Sequence, residues 1–320
     1  MATLRSTILG GLAALALSAG AAFAQQSEMK IIAPAAPGGG WDQTARSIQQ
    51  ALPQTGAAKS VQVTNVPGAG GAIGLAQFVN SAKGDPNQLL VNGFVMVGAL
   101  LTGKSAVTLE NTTPIARLTG EYLAIVVPAN SPFKDAKDLA AALKADPAKV
   151  TFAGGSAGGV DHIAAALIAK AAGADPTKIN YIPFSGGGES LAAILGGKVS
   201  AGISGYTEYE GQVKAGKLCL IAMSSPKRIG GIDAPTLKEQ GIDVDIANWR
   251  SVVAAPGITD AQKKSLVETF DKLAKSPEWQ EILKQKGWDD AYLSGDAFAN
   301  FLKEETARVK EVLTSVGLVK

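Results

Sequence analysis

Apolar and polar positions fall into a unit that recurs four times: a short apolar run, a glycine-rich turn, and a stretch with apolar residues at helical spacing. The first unit runs from Lys30-Ile31-Ile32-Ala33 through Pro37-Gly38-Gly39-Gly40 into a helix from about Asp42. Trp41, Ala45, Ile48 and Leu52 form its inner stripe. The second joins residues 61–66, Pro67-Gly68-Ala69-Gly70-Gly71 and a helix with Leu75, Phe78 and Val79 inward. The third joins residues 150–153, Gly154-Gly155-Ser156-Ala157-Gly158-Gly159 and a helix with Ile163, Ala166, Leu167 and Lys170 on one side. The fourth joins residues 179–184, Ser185-Gly186-Gly187-Gly188 and a helix with Leu191, Ile194 and Leu195 inward.

Strands alternating with helices predict an α/β fold of mostly parallel sheets covered on both faces. The units have no fixed period, which excludes a solenoid. They fall into two pairs, separated by residues 123–128; a matching run at residues 252–257 follows the second pair. Both runs are expected to cross between two lobes, the first of residues 25–124 and 251–320, the second of residues 125–250. Three helices close the chain. One opens on the capping box Thr259-Asp260-Ala261-Gln262. One opens on Ser276-Pro277, cap and first turn, and stops at Gly287. The last runs over residues 296–316, with Phe298, Phe301 or Leu302, Val309 and Val312 facing inward.

Residues 1–24 read as an export signal. Arg5 gives a positive start, an apolar stretch of Leu, Ala and Gly follows, and Ala22-Phe23-Ala24 sets cleavage after Ala24. The stretch is shorter than the roughly 20 residues of a spanning helix, and no basic stop follows. No cysteine stands at the cleavage point to carry a lipid. The mature chain of 296 residues (320 minus 24) has room for two domains. Its formal charge of +1 (29 minus 28) argues against nucleic acid or a membrane surface as partner. Cys219, the only cysteine, reads as a small buried hydrophobe. One cysteine and one histidine, His162, build no usual metal site, and no cofactor is expected.

In an open α/β sheet, ligands lie beyond the carboxyl ends of the strands, where the next helices begin. A helix start offers unpaired N–H groups and a partial positive charge, and glycine lets a ligand approach the backbone. Four such turns facing one cleft would hold a carboxylate without Arg or Lys. Asp42 either complements the helix start or meets a ligand hydroxyl or bound water.

Two enzyme readings compete. Gly154-Gly155-Ser156-Ala157-Gly158 matches a nucleophile elbow, the basis for an exported α/β serine hydrolase using Ser156. Its base is missing, because His162 should point away from the turn, so Ser156 reads as a helix cap or ligand donor. Gly98-Ala99-Leu100-Leu101-Thr102-Gly103-Lys104-Ser105 matches a P-loop pattern, but the Thr- and Asn-rich stretch after it is no helix.

The stretches Ala33-Pro34-Ala35-Ala36-Pro37-Gly38-Gly39-Gly40-Trp41-Asp42-Gln43-Thr44-Ala45-Arg46, Asn65-Val66-Pro67-Gly68-Ala69-Gly70-Gly71-Ala72-Ile73-Gly74 and Pro183-Phe184-Ser185-Gly186-Gly187-Gly188-Glu189 resemble the receptors of tripartite tricarboxylate transporters. The resemblance covers nearly the whole mature chain, Trp249-Arg250 included. It implies a monomeric periplasmic receptor of the type II, Venus-flytrap fold with two crossover strands, which is not an enzyme and hands its ligand to a two-subunit membrane permease. By position, Gly39, Gly40, Asp42, Ala69 and Gly70 of the first lobe would grip one carboxylate, partly through water, and Ser156, Ala157 and Gly187 of the second would close over the rest. Gly-Gly-Gly-Trp-Asp resembles the citrate-type receptors; other di- and tricarboxylates and aromatic acids stay open. Arg250 would either fork a second carboxylate or sit on the surface. Trp41 and Trp249 would pack on the ligand or in the core.

Overall fold

The computed structural model describes residues 28–184 and 187–319; the expected export signal at residues 1–24, Ser185 and Gly186 are among those outside the described residues. The chain opens with β1 (Glu28–Ala33), α1 (Gly40–Ala51), β2 (Ser60–Asn65), α2 (Ala72–Ser81), β3 (Gln88–Gly93), α3 (Phe94–Thr102) and β4 (Thr113–Gly120). It continues with β5 (Leu123–Pro128), α4 (Ala136–Ala145), β6 (Thr151–Gly154), α5 (Val160–Ala171), β7 (Asn180–Pro183), α6 (Gly187–Leu195), β8 (Ala201–Gly205), α7 (Tyr206–Lys214) and β9 (Leu218–Met223). It closes with β10 (Arg250–Ala254), α8 (Asp260–Lys275), α9 (Pro277–Lys286), β11 (Asp289–Ser294) and α10 (Gly295–Ser315).

Two sheets result, ordered β11-β4-β10-β3-β1-β2 and β7-β6-β8-β5-β9. Pairing is parallel among β1, β2 and β3 and among β6, β7 and β8. The sheets are mixed, because β10 and β5 enter from the opposite end and pair antiparallel with both neighbours. Side chains alternate between faces, as the pleat requires. In the first sheet Ile31, Leu89, Val91 and Val252 pack towards α1, α8 and α9. Ile32, Leu90 and Val253 face a second core with α2, α3 and α10. In the second sheet Ile125 and Val127 join that same core, while Ala124 and Val126 face Ile194 of α6 and Tyr209 of α7.

The caps predicted for the closing helices form. Thr259 and Gln262 make a reciprocal box, Ser276 Oγ accepts from Trp279 N at 3.2 Å, and Gly287 is left-handed (φ 64°). On α10, Phe298, Leu302, Val309 and Leu313 are buried, so Leu302 rather than Phe301, and Leu313 rather than Val312, make the inner stripe. Three expectations are corrected. Cys219 is exposed, because edge strand β9 turns it outward between Leu218 and its neighbours. Leu195 ends α6 and is 40% exposed. Lys170 lies on the solvent side of α5.

The chain crosses between sheets twice. Glu121 and Tyr122 carry it from β4 to β5, and residues 247–249 carry it back to β10. The crossings lie side by side: Tyr122 bridges Ala247, and Asn248 N donates to the Glu121 carbonyl at 2.8 Å. The run at 123–128 is β5 and the start of the run at 252–257 lies in β10, each inside its sheet just past a crossing. Arg250 Nη2 donates to Glu121 Oε2 at 2.9 Å, both residues buried.

Helix α3 joins the lobes a second time. Its first N–H, on Phe94, donates to the Trp249 carbonyl at 3.1 Å. A Cβ on Gly98 would stand 2.2 Å from the carbonyl oxygen of Gly158, so only glycine admits this approach. Val97 and Leu100 of α3 share one core with Val160 and Ile163 of α5.

Replacing Arg250 by Met leaves Glu121 buried and uncompensated, and should cost about 3–5 kcal/mol in urea unfolding. Adding Glu121→Gln should restore part of it; a single variant within 1 kcal/mol of wild type would show that the pair does not carry the crossing. A Cβ on Gly158 would lie 3.7 Å from Thr102 Cβ. That is disulfide spacing, so Thr102→Cys/Gly158→Cys in a Cys219→Ser background should form the bond under an oxidised glutathione buffer, against about 1–2 kcal/mol of left-handed strain at position 158. Free thiols persisting in that buffer in a folded variant would refute the placement of α3 against the second lobe.

Candidate functional site

The carboxyl ends of the parallel strands carry the glycine turns. Ala33 pairs with Asn65 and Gly154 with Pro183, which sets the first turn beside the second and the third beside the fourth. Their tips are exposed backbone: Pro37 and Gly38, Gly68 and Ala69, Ser156 and Ala157. Ser185 and Gly186 of the fourth turn lie outside the described residues, and Gly187 opens α6.

The first and third turns are built alike. In the first, Gly39 N donates to Ala36 O at 3.0 Å, Gly38 is left-handed (φ 83°), and Gly38 N donates to Asp42 Oδ2 at 2.8 Å. In the third, Gly159 N donates to Ser156 O at 2.9 Å, Gly158 is left-handed (φ 76°), and Gly158 N donates to His162 Nδ1 at 3.1 Å. Gly39 and Gly159 occupy the N-cap positions without a side-chain cap. Ser156 therefore is not the helix cap that the sequence suggested. The third residue of each helix reaches back to lock its own turn, then ties it to the strand leading into the next. Asp42 Oδ1 accepts from Asn65 Nδ2 at 2.8 Å. His162 stacks on Tyr181, with ring centroids 4.2 Å apart.

Asp42 is 2% exposed, and Gly38, Asn65 and Arg46 all donate to it. Burial raises its carboxyl, but these bonds together outweigh burial and hold it below the usual carboxylate range. His162 was expected to point away from the turn and instead folds onto it, because the third helical position aims back at the N-terminal N–H groups. Burial pushes it down to about 4. With Nδ1 accepting from Gly158, the proton belongs on Nε2, so the ring has no lone pair left to activate Ser156.

The second turn is a run of four left-handed residues: Gly68 (φ 128°), Ala69 (φ 47°), Gly70 (φ 59°) and Gly71 (φ 92°). For Ala69 this costs about 1–2 kcal/mol, strain of the kind found where backbone N–H groups are aimed at a ligand. Its neighbours hold it closely. A Cβ on Gly70 would lie 2.3 Å from Ala99 Cβ, and one on Gly71 would lie 2.6 Å from Met96 Cε and 3.0 Å from the Trp41 ring. Trp41 thus braces the second turn. Trp249 is core, its Nε1 donating to Glu305 at 3.2 Å.

The Arg250–Glu121 pair lies between the two sets of helix starts. Arg250 Nη2 would be 2.9 Å from a Cβ on Gly40, and a Cβ on Gly205, where α7 begins, would overlap the Glu121 carboxylate. The Arg250 fork is engaged by Glu121, with Nη1 buried and unpartnered. Sequence reasoning missed Glu121, Asp161 and α3. Glu121 sits in a turn-like gap with no periodic signal. The P-loop-like residues Gly98 to Thr102 are helical, and Gly98 is covered by the third turn, so no phosphate cradle exists there.

Comparison with known proteins places the fold and the family. The chain is 29% identical over 325 residues to the UPF0065 protein in gbd 5'region of Cupriavidus necator, covering 99% of this chain and 97% of that one. A solved TctC solute binding protein from Polaromonas superposes with a TM-score of 0.74 at 29% identity, over 91% and 99% of the two chains. Two more distant structures share the fold: MatC from Rhodopseudomonas palustris with bound malate (TM-score 0.73, 22% identity, 91% and 100% covered) and an R. palustris protein with adipate (0.77, 20%, 92% and 98%). The described residues contain no helix long and apolar enough to cross a membrane. Residues 44–318 match the model of the tripartite tricarboxylate transporter family receptor, and the chain belongs to that family of solute-binding proteins.

Proposed function

We propose that this protein is a periplasmic receptor, exported by residues 1–24 and cleaved after Ala24, that captures a small di- or tricarboxylate and delivers it to a two-subunit membrane permease. Citrate is the first candidate, on the Gly-Gly-Gly-Trp-Asp version of the first turn. The lobes are residues 25–124 with 251–320, and residues 125–250. The observation that supports the reading is that the first turn's helix starts against Arg250, α7 starts against its partner Glu121, and the second and third turns both pack on α3.

In this reading the backbone of Gly39, Gly40, Ala69 and Gly70 grips one carboxylate, and Ser156, Ala157 and Gly187 receive the rest. Asp42 and Trp41 act by holding the turns. Arg250 lends charge from beneath Gly40, and reaches the ligand only if Glu121 yields its fork. The protein works as a monomer and turns nothing over. The malate and adipate held by distant structures of the same fold support this ligand class.

A melting screen of the mature chain against citrate, malate, adipate and aromatic acids tests it. At one hundred times Kd, a true ligand adds about 2.7 kcal/mol, a rise of roughly 5–10 °C. A chromogenic ester should stay intact. A broad panel without one stabilising acid would sink the receptor reading.

A further inference from the structure

Asp161 lies in α5 directly behind the third glycine turn and is 8% exposed. Its Oδ2 accepts from Gly155 N at 2.7 Å. Among the described residues it forms no ion pair with Lys or Arg. The groups around it come from every element packed there. From β7 comes the Tyr181 hydroxyl, which donates to the Gly155 carbonyl at 2.9 Å. Helix α7 brings Glu208 and Tyr209, and the first crossing brings Glu121, whose positive partner Arg250 stands beyond it. The next residue, His162, is neutral and donates nothing to Asp161 through its engaged Nδ1. Asp161, Glu208 and Glu121 thus repel one another, and Arg250 pairs with Glu121.

An ionised carboxylate in that place opposes an anion at the turn in front of it, whereas a carboxylic acid does not. We propose that the second-lobe half of the site binds its carboxylate together with one proton, and that Asp161, sealed behind the Gly155 turn, takes that proton. The ligand class is then an anion plus a proton drawn from solvent, with only the Asp161 O–H bond formed. The inference rests on the receptor reading above. The direction is consistent with the environment: burial, with Glu208 and Glu121 adding to it, pushes Asp161 up to about 7 against the single Gly155 bond. Glu208 is raised as well, by burial first and then by Glu121.

The sign is fixed by linkage. The folded value is raised from 3.8 to about 7, so Asp161 favours the fold below about pH 4 and loses that contribution as pH rises towards about 7. Asp161→Asn keeps an acceptor for Gly155 N and removes the loss. The ligand-free variant should therefore melt above wild type at about pH 8.5, with the gap narrowing as pH falls and closing only near about pH 4.

Calorimetry with malate and adipate, whose carboxyls are ionised well below pH 6.5, in two buffers of different ionisation enthalpy reads the coupling itself. Wild type should take up close to one proton per ligand above neutral pH. Its affinity should fall up to about tenfold per pH unit there. Asp161→Asn should take up none, and its affinity should vary less than about twofold between about pH 6.5 and 8.5. Binding that is equally steep in the variant, or flat in wild type, would overturn the proton coupling and leave the receptor reading standing. If no acid binds at all, both fall.

Discussion

Burying a guanidinium against a carboxylate costs several kcal/mol per ion unless the geometry is close, and then removing either partner is what hurts. The Arg250–Glu121 pair is held in that condition by two glycines. Gly40, at the start of α1, and Gly205, at the start of α7, each leave the space where a Cβ would strike one member of the pair. Glu121 sits on the first crossing and Arg250 opens β10 just after the second, so the bond fixes the distance between the two connections and, with it, the spacing of the helix starts beside them. Everything proposed about ligand capture assumes that spacing.

Around this centre the two lobes repeat one local solution. A left-handed glycine turns its N–H to a side chain four residues on, and that side chain makes a second contact with the strand behind the neighbouring turn. The first lobe uses a charged acceptor, Asp42, balanced by Arg46. The second uses a neutral one, His162. The lock is the same while the charge differs, which leaves the third turn with Asp161 as the carboxyl behind it.

Much of this was legible in the sequence. Glycine clusters after apolar runs mark strand-to-helix turns because few other residues accept positive φ, and Thr259 with Gln262 or Ser276 with Pro277 mark helix starts through local bonds. Those signals act within a few residues. Glu121 meets Arg250 from 129 positions away, and no local pattern announces it. Cys219 was misread because composition knows nothing of which face of an edge strand a residue takes. His162 was misread because the helix was placed without its exact phase, and one position decides whether a side chain returns to the turn or leaves it. The Gly98 match to a nucleotide motif, set aside from the stretch after it, has a packing origin: Gly98 lets α3 approach the Gly158 carbonyl.

The core shared by α3 and α5 has a consequence for how the molecule comes apart. Val97, Leu100, Val160 and Ile163 belong to one apolar cluster that also lines both sheets, so neither lobe owns a complete interior. Separating them would wet surface that each needs dry. The chain should accordingly lose its structure as one cooperative unit, and an excised half should behave as an incomplete fold prone to self-association. Evolution could exchange loops or recolour the cleft in such a receptor, but could not readily shuffle its lobes as independent modules.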